Sequence, residues 1–76
     1  MIVFLICEDV DLGYLVHSAY TSYSKAMQEC AKLNADFAND KIKNLIKGCN
    51  YSFEEAKKYV EQSPEQFFIE ECKVIE

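Results

Sequence analysis

The 76-residue sequence has no arginine, a single histidine, one proline and two glycines. Without arginine it lacks the side chain best suited to bidentate phosphate contacts and arginine-finger chemistry, which weighs against phosphoryl transfer. Scarce glycine and proline argue for a folded chain with short connections rather than disorder. There is no P-loop, dinucleotide fingerprint or nucleophile elbow. With one histidine, any thiol–imidazole pair must use His17, and nothing in the sequence supplies an electropositive thiolate site, an orienting third residue or a glycine-rich oxyanion loop. We therefore expect a protein that is not an enzyme and takes no cofactor.

No stretch approaches the roughly 20 apolar residues that a membrane-spanning helix needs. The apolar run Ile2 to Cys7 lacks a basic flank and leads into Glu8, Asp9 and Asp11, so it does not read as a secretory signal, and a cytoplasmic chain is expected. In that setting Cys7, Cys30, Cys49 and Cys72 read as reduced, buried small hydrophobes rather than as two disulfides. The cysteines are too widely spaced to build half a zinc site locally, because no C-x2-C pair is present. No metal is expected.

What the chain does have is acid: thirteen carboxylates against eight lysines, for a net charge of -5. That balance repels nucleic-acid phosphates and favours a basic partner. The cluster Glu8, Asp9 and Asp11 lacks the ligand spacing of a calcium loop and reads as a solvated turn. Glu54/Glu55 and Glu70/Glu71 are better explained by helix capping and an exposed strand face than by acid–base catalysis.

Ile2 to Cys7 reads as a strand covered on both faces. A six-residue acidic tip, Glu8 to Gly13, then joins it to a second strand, Tyr14 to Tyr20. Thr21 and Ser22 offer caps to a helix from Tyr23, with Tyr23, Ala26, Met27, Cys30, Leu33 and Phe37 on one stripe. Farther on, Ile42, Leu45, Ile46 and Cys49 fall on a stripe rotated by roughly 110°, which one surface cannot bury against a straight helix. A break at Asn39 or Asp40 is expected, with Gly48 ending the second helix, although one long curved helix is the competing reading. Ser52 and Glu55 make a capping box for a third helix, which Ser63-Pro64 stops. Phe67 to Ile75 reads as the last strand, with a bulge after Ile69 as one way to reconcile its imperfect alternation.

The expected fold is thus a two-layer α+β domain, ββαααβ, with a three-stranded antiparallel sheet in the order 2-1-3 and one domain over residues 1–76. Its most apolar strand lies centrally. Because both faces of that strand want cover, either the helices divide between the faces or a second protein covers the one they leave bare, and a homodimer is expected. Tyrosines give large contact area with a polar tip, so Glu8, Asp9, Asp11, Tyr14, Tyr20 and Tyr51 are the candidate partner-binding residues.

The opening MIVFLICEDVDLG, the junction AYTSYSKAMQECAKLN and the closing QFFIEECKVIE resemble a pattern of small phage and bacterial accessory proteins. The pattern is an apolar first strand, a hairpin, a Ser-aromatic-x-x-Ala helix start and a last strand with Phe-Ile followed by acids. The second helix start, YSFEEAKKYV, departs from it. What the resemblance implies is a phage-type protein that binds and blocks host machinery, as anti-CRISPR and other anti-defence inhibitors do, from the host cytoplasm. The expected function is then a non-enzymatic inhibitor of a host protein with a basic surface. Its rivals are a dimeric protein that sequesters a signal nucleotide or metabolite, with Lys41, Lys43 and Lys47 as its dense basic group, and a structural or regulatory subunit.

Overall fold

The computed structural model describes residues 1–75 in the order β1 (Ile2–Val10), β2 (Gly13–Tyr20), α1 (Tyr23–Cys49), α2 (Phe53–Glu61) and β3 (Phe67–Lys73). The three strands form one antiparallel sheet in the order β2-β1-β3, as the apolarity of the first strand predicts. Mixed α+β architecture and strand order both follow the sequence reading. The helix count does not: the described residues form two helices rather than three.

α1 is continuous over 27 residues, about 40 Å at 1.5 Å per residue. Ser22 caps its start, accepting from the Lys25 N–H at 3.3 Å. It runs past Gly48 and ends where Asn50 adopts a left-handed conformation, φ 55°, with its N–H returned to the Leu45 carbonyl. No break is needed at Asn39 or Asp40, because the two apolar stripes face two different partners. The first, through Ala26, Cys30 and Leu33, meets the sheet; beyond it, half-buried Ala38, Lys41, Ile42 and Leu45 turn to α2, which packs on α1 and on no strand among the described residues. A rotated stripe therefore marks a change of partner.

α2 begins as the sequence predicts. Ser52 Oγ accepts from the Glu55 N–H at 3.2 Å, and Glu55 Oε1 accepts from the Ser52 N–H at 3.4 Å. Its Ala56 is fully buried, which lets the two helices approach closely.

Register along β1 and β3 is unbroken, from Ile2 opposite Lys73 to Glu8 opposite Phe67. No bulge follows Ile69. Phe67 and Ile69 simply face α1, and Phe68, Glu70 and Cys72 face away from it. The irregularity lies instead in β2, where Ile6 pairs with Ser18 and Cys7 with Val16, leaving His17 as the extra residue. His17 rests edge-on against Phe67, with ring centroids 5.8 Å apart. Beneath this bulge Ser18 Oγ is buried without a hydrogen-bond partner, a local cost of the irregularity.

One further interaction ties the layers together. Asn34 of α1 donates from Nδ2 to the Phe67 carbonyl at 3.0 Å, while its Oδ1 accepts from the Phe67 N–H at 2.8 Å. Since the adjacent Gln66 carbonyl turns inward to the Asp9 N–H, the Phe67 amide group faces the outer edge of the sheet. There one side-chain amide satisfies both backbone groups of an edge strand.

The core is thin: Ile6, Cys30 and Phe67 form its centre, bordered by Tyr20, Leu33 and Ile69. The molecule measures 53 × 27 × 16 Å, with a radius of gyration of 15.1 Å, against about 11 Å for a compact chain of this length.

Candidate interaction surface

Strand alternation sorts β1 into two sets. Phe4 and Ile6 look towards α1, where Phe4 meets Tyr23 at 5.2 Å between ring centroids. Val3, Leu5 and Cys7 look the other way. Cross-strand pairing adds Tyr14, Val16 and Ala19 from β2 and Phe68 and Cys72 from β3 to this second face. Neither helix covers it.

Tyr14 and Val16 are each more than half exposed there, and Tyr14 stands edge-on to Phe68 at 5.7 Å. Only Cys7, in the middle, is fully buried, flanked by Val16 and Phe68 on the neighbouring strands. Burial raises its thiol pKa above the usual 9.0, and Glu70 adds to the rise. Asp9 and Glu70 are the carboxylates on this face, Asp9 towards the hairpin end and Glu70 on the β3 edge.

The hairpin turn is tighter than the sequence suggests. β1 continues through Glu8 and Asp9 to Val10, so only Asp11 and Leu12 form the turn. Gly13 closes it at φ 139°, a conformation that residues with a Cβ rarely adopt. Leu12 is fully exposed at the tip, beside exposed Asp9 and Asp11.

Of the six residues singled out from sequence, four therefore gather at the hairpin end: Glu8, Asp9, Asp11 and Tyr14. The other two go elsewhere. Tyr20 is half-buried at the edge of the core on the helix side. Tyr51 lies in the α1–α2 connection, where its ring meets Tyr59 at 6.2 Å. Sequence reasoning missed Val16, Phe68 and Cys72, whose face depends on the β3 register and the β2 bulge.

Other candidate chemistry is dispersed. His17 sits with Phe67 on the helix side, while Cys7 and Cys72 lie on the opposite face. The cysteines are free, Cys49 being exposed and Cys72 half-buried. Among the described residues no three His, Cys, Asp or Glu side chains converge to hold a metal ion, and no helix is long and apolar enough to cross a membrane.

A cleft of about 510 Å³ opens between the hairpin end, α1 and the α2–β3 connection. Lys41 is its one cation, against Asp9, Glu61 and Glu65. The Lys41 ammonium is held over the rings of Phe37 and Tyr59 at 5.9 and 5.8 Å. Compared with protein-family models, curated proteins and solved structures, the chain has no significant match.

Proposed function

We propose that this chain is a non-enzymatic protein-binding inhibitor, of the phage anti-defence or host-takeover kind, which engages a basic host-protein surface through its hairpin end. The observation that carries this reading is the grouping of Asp9, Asp11, exposed Leu12 and exposed Tyr14 at one end of the molecule. Carboxylates around an apolar tip and a tyrosine suit a basic surface with an apolar recess: charge steers the encounter and the apolar groups supply contact area. This chemistry supports the basic partner, while the phage anti-defence kind is what the resemblance to small phage accessory proteins implies.

The sequestering alternative fits less well. An anionic nucleotide needs converging cations, and of Lys41, Lys43 and Lys47 only the last two, one turn apart, share a face of α1, with Lys41 roughly 200° around from Lys43. The cleft beside Lys41 is itself predominantly acidic.

Affinity capture from host lysate with the wild-type chain and the Asp9→Lys/Asp11→Lys variant tests the proposal. A basic protein retained by the first, released by moderate salt and reduced at least about tenfold with the second is the expected result. Equal capture by both chains, or recovery of a small anion with no protein, would overturn it.

A further inference from the structure

We propose that the open edge of β2 at the hairpin end is a strand-addition site, on which an extended segment of the basic protein partner pairs through its backbone with Tyr14 to Val16. This rests on the partner reading above and names how that partner is held.

Register shows which backbone groups are free. The Asp9 N–H is turned to the Gln66 carbonyl on the β3 side, so Asp9 and Tyr14, which stand opposite each other, form a pair without mutual hydrogen bonds. The Tyr14 N–H and carbonyl therefore point away from β1 to the outer edge of the sheet. Two residues on, opposite Cys7, those of Val16 do the same. Beyond Val16 the bulge at His17 interrupts the spacing. The regular part of the open edge is thus the part beside the acidic hairpin tip.

The two edges of the sheet are not alike. On β3 the Asn34 side chain occupies the outward Phe67 N–H and carbonyl, and exposed Glu70, Glu71 and Lys73 follow; charge and cover are devices by which edge strands resist pairing. β2 has neither. Gly13 to Tyr20 contains no lysine or carboxylate, and Gly13 to His17 are all exposed. A row of outward N–H and carbonyl groups is completed by one kind of ligand, another extended backbone, whose alternate side chains then give specificity. Charge chooses whose backbone. Glu8 and Asp9 lie on the neighbouring strand and Asp11 in the turn, so a segment bearing lysine or arginine is drawn to this stretch. A second copy pairing there would instead bring its own acidic hairpin end alongside the first.

Proline separates the edge from the fold. Val16→Pro deletes an N–H that β1 does not use, and an edge strand accepts proline where its N–H faces solvent. The far-ultraviolet circular dichroism should therefore stay as in wild type. Capture of the basic host protein should fall at least about tenfold, because a partner carbonyl is left without its donor. Val16→Ala, which keeps the N–H, should lose far less. In the complex of the wild-type chain with the captured protein, exchange of the Tyr14 and Val16 amides should slow at least about tenfold relative to the free chain. If Val16→Pro fails to fold, that exchange measurement decides. Capture that Asp9→Lys/Asp11→Lys weakens but Val16→Pro does not, with the Tyr14 and Val16 amides exchanging as in the free chain, overturns strand addition and leaves the hairpin reading standing. Failure of the wild-type chain to retain any basic protein overturns both. Protection of the same amides that grows with the concentration of the chain alone gives the edge to a second copy, and that too overturns the proposal.

Discussion

Asn34 has a larger structural role than its sequence neighbourhood suggests. In a helix an asparagine usually competes with the backbone and is worth little, but here both amide atoms are spent on Phe67, 33 residues away. Asn34→Leu should remove both bonds and strand the Phe67 N–H and carbonyl, costing about 2–3 kcal/mol. Asn34→Asp keeps an acceptor for the N–H but sets a carboxylate against the carbonyl. That variant should regain part of its deficit relative to wild type in acid, where the protonated carboxyl can donate. Urea unfolding of the three proteins at neutral and acidic pH measures this; an Asn34→Leu change within 0.5 kcal/mol of zero would leave the clamp without energetic weight. No pattern of apolar residues foretells such a bond. It depends on the β3 register, which the mixed alternation of Phe67 to Lys73 leaves open until β1 fixes it.

At the scale of elements, local signals are legible in the sequence and the partners of each element are not. Ser22 and the Ser52–Glu55 box locate both helix starts, because a cap is written in neighbouring residues. The rotation of the apolar stripe near residue 40 is legible too, but it implies a break only if α1 has a single packing surface. The long α1 outlasts the sheet and exchanges one surface for another, a fact set by α2 and invisible within α1 itself. Likewise, the acidic tip shrinks to Asp11 and Leu12 because pairing with β2 holds Glu8 and Asp9 in extended conformation. Since, among the described residues, α2 packs on α1 and on no strand, its stability should be local. Ser52→Ala is expected to cost about 1 kcal/mol and to speed amide exchange across α2 and the overhanging end of α1. Sheet amides should keep their wild-type rates; uniform acceleration throughout the protein would show that α2 and the sheet unfold as one unit.

Across the whole molecule, the sheet separates two buried thiols, and their titration reports on both faces together. Cys30 lies between α1 and the sheet, whereas Cys7 lies on the face without helices. Burial raises both pKa values above 9.0, with Glu65 adding to the rise at Cys30 and Glu70 to that at Cys7. A raised value means that the folded chain holds its thiol protons more tightly than the unfolded chain. The stabilisation is therefore fully present below about pH 9, the unfolded thiol range, and is lost as pH climbs through the folded values. Lysines and tyrosines also titrate in alkali, so the informative quantity is a difference. A Cys7→Val/Cys30→Ala chain should be less stable than wild type at pH 7 because it repacks both sites, and the gap should narrow steadily above pH 9. Denaturant unfolding of the two chains between pH 7 and pH 10.5 supplies that comparison. A gap that stays constant across the range would mean that both thiols ionise in the folded protein as readily as in the unfolded chain, and that neither face of the sheet excludes water from its cysteine.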